Sequence, residues 1–304
     1  MPITPPPTLT PLAPGVFAYV QPDGGWCVSN AGVLVGRDNV ALVDATATVP
    51  RALHLREHIE SVTPAPVRTL IVTHRHGDHH YGACAVAPDA TVVAHERTRE
   101  LLLADGLNLP GIWPDVTWGD VALRPPSVTF ADRLTLWVDD LRVELIHPGP
   151  AHTAGDAVVW LPEHRIMFTG DITFAGVTPL YLMGSLSGSL RALDQLRALE
   201  PEIVVSGHGP VTGPEVFDAN EAYLRWVQEL AAEGHAAGRP PLEVAHATDL
   251  GQFKSLLDSE RLVANLHRAY AELDGQPEAA ELAVLPVLGD MVAFNGGRVP
   301  TCLA

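Results

Sequence analysis

Between Thr73 and Tyr81 the chain reads Thr-His-Arg-His-Gly-Asp-His-His-Tyr, a run of imidazoles with one carboxylate among them. In an extended segment residues i and i+2 share a face, so His74 and His76 can address one metal ion. Gly77 permits a tight turn that brings Asp78 and His79 round to a second ion. Imidazole and carboxylate are both donors that zinc accepts. A histidine-rich polar turn would explain one or two of these residues. It does not explain H-x-H-x-D-H placed directly after the apolar run Leu70–Val72.

Three more places match this motif in kind and position. His152 lies in Pro148-Gly-Pro-Ala-His-Thr-Ala-Gly-Asp156, Asp171 in Phe168-Thr-Gly-Asp171, and His208 in Ser206-Gly-His-Gly-Pro210. Each follows an apolar run that reads as a strand, and each has glycine neighbours that allow close backbone approach. Taken singly, each is an ordinary solvated turn residue. Taken together, they are donors held at the ends of several strands, with the loops left free to shape a pocket.

The series H-x-H-x-D-H, G-x-x-H-T-x-G-D, T-G-D and S-G-H-G resembles the metallo-β-lactamase superfamily of dinuclear metallohydrolases, over roughly residues 14 to 215. The resemblance implies an α/β fold, a four-layer αββα sandwich with the metals at one edge. It implies that His74, His76 and His152 hold one ion, that Asp78, His79 and His208 hold the other, and that Asp171 bridges them. Two zinc ions are the implied cofactors, with manganese(II) and iron(II) also compatible. Such a pair, about 3.5–4 Å apart, holds a bridging hydroxide that attacks a carbonyl carbon. Asp78 and Asp171 are then the catalytic carboxylates, and the residual positive charge meets the developing oxyanion. Asp44, ending Val40-Ala-Leu-Val-Asp44, stands where the family has a carboxylate supporting the metal loop.

The bulk properties narrow the partners. Of 304 residues 47% are hydrophobic and 18% charged, a globular composition with no low-complexity tract. A formal charge of −17 excludes the basic footprint that nucleic-acid binding needs. The three cysteines, Cys27, Cys84 and Cys302, are too few for a disulfide framework. No charged-then-apolar leader opens the sequence and no run of about 18 apolar residues occurs, so a cytoplasmic enzyme with no membrane partner is expected.

The elements that must position these donors follow from the patterning. Prolines at 2, 5, 6, 7, 11 and 14 predict an extended, loosely held lead-in over residues 1–13. Strands are expected at 16–20, 31–36 and 40–44, a helix over 48–61 capped by Thr48, and a strand at 67–73 buried on both faces. Helical stretches at 79–86 and 95–104 flank a strand at 91–94. A Pro- and Gly-rich connection runs from 105 to 126. Strands at 128–130, 134–138, 141–147, 156–161 and 165–169 precede a helix at 190–199 and a strand at 202–206. Helices at 216–232 and 256–273 follow, and the last thirty residues read ambiguously. The catalytic domain is therefore expected over 14–215, with a mostly helical extension over 216–304 packed on the same domain.

Within the family, departures prune the choices. Antibiotic-hydrolysing lactamases lack an aspartate at the position of Asp171. Flavodiiron proteins carry glutamate where His76 stands. A group of acyl-homoserine lactonases has tyrosine where this chain has Phe174. Glyoxalase-type thioesterases share Thr169-Gly170-Asp171, but no basic cluster for a glutathione carboxylate follows here. What remains is hydrolysis of a thioester or lactone of a bulky apolar or aromatic acyl group, general metabolism included. The Ala- and Pro-rich composition, the Trp26 turn, the Pro-rich middle loop and the helical tail together resemble the bacterial aromatic-polyketide cyclases of this fold, whose substrates arrive on an acyl carrier protein. Trp26, Phe174 and Tyr181, on expected loops, are the anticipated pocket walls. Two competing readings are an iron-dependent sulfur dioxygenase, which needs one ion, and a non-catalytic binding protein, which usually loses donors that this chain keeps.

Overall fold

The computed structural model describes residues 6–304; Pro2 and Pro5 of the expected lead-in lie outside them. The first sheet has seven strands in chain order: β1 (Thr8–Ala13), β2 (Val16–Val20), β3 (Ala31–Val35), β4 (Val40–Val43), β5 (Val67–Ile71), β6 (Thr91–His95) and β7 (Val128–Phe130). It is antiparallel as far as β4 and parallel from β4 to β7. The second sheet contains β8 (Arg133–Val138), β9 (Leu141–Ile146), β10 (Val158–Leu161), β11 (Ile166–Phe174) and β12 (Ile203–His208). Its first four strands are antiparallel and β12 lies parallel to β11.

Alternation along the strands builds two of the four cores. Leu34, Val43 and Ile71 point at the second sheet and meet Leu145, Val159 and Phe168. Their neighbours Val33, Leu42 and Leu70 point the other way, onto Ala52, Leu55 and Ile59 of α1 (Val49–Val62). The third core lies beyond the second sheet, where Met167 and Val204 meet α5 (Leu186–Arg197), α6 (Glu215–Ala236) and α8 (Arg261–Leu273). The result is the expected αββα sandwich. Each fully buried Leu or Phe in these cores contributes on the order of 1.5–3 kcal/mol.

Local signals set most boundaries. Thr48 Oγ1 accepts from Arg51 N, and Pro50 sits in the first turn of α1 where no amide is needed. Helix α2 (Ala83–Val86) packs beside α1, α3 (Glu96–Asp105) lies against β6 and β7, α4 (Leu109–Ile112) joins the cluster of Trp113 and Trp118, and α7 (Pro241–Ala247) and α9 (Val284–Phe294) pack on α8. Five expectations change. Strand β11 runs on to Phe174 instead of ending at residue 169, so Asp171 and Phe174 stand on the strand itself and not on a loop beyond it. The lead-in is extended but held, since Thr8–Ala13 is a strand paired with β2. The β5 strand is buried only at its Leu70–Ile71 end, and Arg68 is exposed, because its start lies at the rim opposite the metal loop. Helix α5 begins at Leu186, where the Ser185 hydroxyl accepts from Gly188 N, four residues before the apolar pattern begins. Helix α8 begins only at Arg261, after a turn at Asp258 with φ of 57°. Among the described residues no helix is long and apolar enough to cross a membrane.

Candidate metal centre

Parallel strands β4 and β5 end together, and the chain turns from β5 through Thr73 into a 3-10 turn at Gly77–His79. The turn is tight because Tyr81 folds back under it: a Cβ on Gly77 would lie 2.2 Å from the Tyr81 ring. His152 sits on the loop after β9, while Asp171 and His208 lie near the C-terminal ends of β11 and β12. All seven expected donors converge. One ligand atom each from His74, His76, His152 and Asp171 lies within 4.8 Å of the others, and the same is true of Asp78, His79 and His208.

Asp171 stands between the two groups. Its Oδ2 is 3.5 Å from His152 Nε2 and 3.9 Å from His74 Nε2, and its Oδ1 is 3.2 Å from His79 Nε2. His208 Nε2 lies 3.5 Å from Asp171 Oδ2 and 3.3 Å from Asp78 Oδ2. His76 presents Nδ1, 2.8 Å from His152 Nε2. Every atom named faces the same small volume.

The other ring nitrogens set the tautomers. His79 Nδ1 donates to Asp44 Oδ2 at 2.8 Å, His152 Nδ1 to Leu180 O at 2.5 Å, and His208 Nδ1 to Gly24 O at 2.9 Å. His74 Nδ1 lies 3.0 Å from Thr73 Oγ1, which itself donates to Asp44 Oδ2 at 2.8 Å. Each such contact leaves Nε2 as the inward-facing atom that a metal would take. Asp44 therefore braces His79 directly and His74 through Thr73, a relay that nothing in the sequence marks.

Three of the inward atoms, His74 Nε2, His79 Nε2 and Asp171 Oδ1, are buried and have no hydrogen-bond partner among the described residues. Buried polar atoms are normally paired, and leaving one unpaired costs about 1–3 kcal/mol. A divalent cation satisfies all three at once, so the donor set fits metal. The charges agree. Burial holds His74 and His76 well below the ordinary histidine pKa and brings His152 to about 4. Burial opposes charge on His208 as well, but Asp171 and Asp78 outweigh it and raise this residue to about 9; they raise His79 too. The facing histidines hold both carboxylates below their usual range against the same burial. The second group thus calls for positive charge, which protons supply when a cation does not.

The cluster opens into a cleft of about 130 Å³. Trp26 and Phe174 line it, together with Trp113, Leu182 and Met183. Tyr181 does not. It is fully buried in the helical core, its amide donating to Asn265 Oδ1 at 2.8 Å, because α8 covers its loop and turns the ring away from the donor cluster. The sequence reading also missed the opposite wall, built by Val284, Leu288 and Met291 of α9 and by Arg261 of α8. The apolar run Val284–Phe294 was the available signal. Arg261 lies 4.1 Å over the Trp26 ring, and Trp26 Nε1 donates to Glu260 Oε1 at 2.7 Å. His80 is buried and bonds Arg75 O, away from the cluster. His95 and His147 stack on each other at 3.9 Å between β6 and the end of β9 and take no part.

Residues 24–208 match the family model described as the metallo-beta-lactamase superfamily. The chain is 32% identical over 182 residues to the 2,4-dinitroanisole O-demethylase subunit alpha of Nocardioides sp. (strain JS1661), covering 57% of this chain and 50% of the relative. It is 23% identical over 239 residues to the linear primary-alkylsulfatase of Pseudomonas sp. (strain ATCC 19151), covering 65% and 44%. The chain thus spans about half the length of these two relatives. Among solved structures, a metallo-beta-lactamase from Pontibacter korlensis superposes with a TM-score of 0.61 at 23% identity, over 72% of this chain and 99% of that one. At that identity the likeness is one of fold.

Proposed function

The chain belongs to the metallo-β-lactamase superfamily, and we propose that it is a metal-dependent hydrolase acting on the thioester or lactone of a bulky apolar or aromatic acyl group. The observation that carries this reading is the convergence of seven donors beside a cleft lined mostly by apolar and aromatic side chains, with Arg75, Asp105, Asn108 and Arg261 as its polar members. His74, His76 and His152 would hold one divalent ion, Asp78, His79 and His208 the other, with Asp171 shared. Bound ions, zinc in the first instance, supply Lewis acidity and a water acidified toward neutral pH.

The chain's own residues do the rest. Asp78 and Asp171 offset two of the four positive charges, so the site keeps a positive balance toward a developing oxyanion. Trp26, Trp113 and Phe174 seat a flat acyl group beside the cluster and exclude bulk water from it. Phe174 stacks on His208, with centroids 5.6 Å apart, and offers no proton to a leaving group. Tyr181 is turned away. A thiolate, the conjugate base of a thiol of pKa about 8.5, leaves without protonation far more readily than an alkoxide, which favours a thioester. Delivery on an acyl carrier protein, with ring closure before release, is the form this takes in a polyketide cyclase.

A second reading is hydrolysis of an aromatic ether, favoured by the name of the demethylase relative and by the same flat walls. The metal-loaded protein, assayed on an aryl-acyl thioester, an acetyl thioester, an aryl lactone, a methoxynitrobenzene and a long-chain alkyl sulfate, separates these. The aryl thioester should be turned over with kcat/KM at least about 10-fold above the acetyl one, the discrimination that one well-filled apolar pocket provides. Turnover of the methoxynitrobenzene alone would transfer the assignment to the second reading.

A further inference from the structure

A second reactive feature sits at the rim of this cleft, independent of the substrate. Cys27 is buried, lines the cleft, and holds a backbone φ of 63°, in the left-handed region that a residue with a side chain seldom occupies. The half-buried Cys302, 275 residues on in sequence, packs in the same apolar cluster as Cys27. The two backbones are joined beside it by a bridge between Trp26 and Cys302. The contact does not depend on a loose tail. Trp113 Nε1 donates to Pro300 O at 2.7 Å, and the Arg51 guanidinium donates to Leu303 O, so the segment is fixed on both sides of Cys302. Cys84 stands apart, its thiol donating to Tyr81 O at 3.4 Å.

We propose that Cys27 and Cys302 form an oxidant-sensitive thiol pair that closes to a disulfide when the protein meets hydrogen peroxide. Cys302 is the partly exposed member, and the neighbouring Cys27 holds its thiol below the ordinary value. Its thiolate attacks the peroxide O–O bond, giving a sulfenic acid and releasing hydroxide, which takes up a proton as water. Cys27 sulfur then attacks the sulfenic sulfur, the S–S bond forms, and the hydroxyl leaves as a second water with the Cys27 proton. The peroxide is reduced by two electrons and the two thiols are oxidised by two.

The link reaches the metal centre through one short loop. Gly24, three residues before Cys27, accepts from His208 Nδ1, and Ser29, two residues after it, donates to the carbonyl of Asp78 at 2.7 Å. Oxidation therefore pins the C-terminal segment to the loop that braces two of the seven donors.

Metal-loaded protein treated with one equivalent of hydrogen peroxide tests this without any knowledge of the substrate. Thiols counted after denaturation should fall from three to one, the mass should fall by about 2 Da, and the peptide map should show Cys27 joined to Cys302, all reversed by dithiothreitol. Cys84→Ser should fall from two thiols to none, and Cys302→Ser should form no intramolecular link. Loss of a single thiol, a link through Cys84, or no loss from the folded protein would each overturn the proposal. The wild-type and Cys84→Ser maps decide the matter even if Cys302→Ser does not fold.

Discussion

His79 Nδ1 and Asp44 Oδ2 lie 2.8 Å apart in the interior, and the same oxygen receives the Thr73 hydroxyl whose own acceptor face meets His74 Nδ1. One carboxylate at the end of β4 therefore fixes a histidine of each donor group. Asp44 itself sits at φ of 60°, which turns its side chain under the loop, and its Oδ1 accepts from Thr73 N at 2.8 Å. Asp44→Asn should keep the fold and lower metal affinity by about 10–100-fold, the usual effect of removing such a support. Competition against a chromophoric chelator measures it; unchanged affinity would show that the histidines are aligned without Asp44.

Gly207, beside His208, is required by space. A Cβ there would stand 1.9 Å from Asp171 Oδ1. The carboxylate can move only by leaving its place between the two groups, so the damage falls on the site more than on the fold. Gly207→Ala should keep a near-native circular dichroism spectrum and lose at least one equivalent of bound metal. Gly111→Ala, where the added Cβ meets nothing within 4 Å, is the control that should bind normally.

Metal binding should release protons. In the metal-free chain His208 carries a pKa of about 9, raised by Asp171 and Asp78 against the effect of burial, and it must be neutral to act as a ligand. At pH 7 zinc addition should therefore expel protons, and affinity should rise with pH until about 9. The sign for stability is the reverse in the metal-free protein. A raised folded pKa contributes stability that is fully present below the unfolded value near 6.5 and is lost as pH rises through 9. Melting temperatures of metal-free protein across this range, with proton release followed by pH-stat, check both; no proton release at pH 7 would contradict the electrostatic account.

Phe174 and Tyr181 should separate cleanly. Phe174 faces the cleft and Tyr181 is packed in the helical core. Phe174→Ala should raise KM for an aryl thioester several-fold more than for an acetyl thioester. Tyr181→Ala should instead cost about 3–5 kcal/mol of stability, in the range of large-to-small aromatic changes in a core, and should leave the ratio of the two KM values unchanged. Chemical denaturation and paired kinetics distinguish them.

The contrast between these two aromatics shows what the chain makes legible. Donors such as His74, Asp78 and His208 announce themselves because metal chemistry restricts residue type, and because strand ends and glycines fix their context. Strands β2 and β7 could be bounded from local patterning alone, since alternation and turn residues are local. Tyr181 could not be placed, because its direction depends on α8, a helix some eighty residues further on. Thr73 was silent for a related reason: a hydroxyl relay has no spacing signature. The far wall from Arg261 and α9 belongs to the stretch beyond residue 208, where the family match ends.

The central claim is that two ions held by these seven residues perform the hydrolysis, and elemental analysis coupled to thioester turnover tests it most directly. Wild-type protein should carry two equivalents of divalent metal and lose all turnover on chelation. Asp171→Asn should fold, bind the second ion weakly and turn over more slowly by about 10²–10³ or more, as removal of a central electrostatic group does. A single tightly bound iron in the wild type, or wild-type turnover by metal-replete Asp171→Asn, would contradict the account.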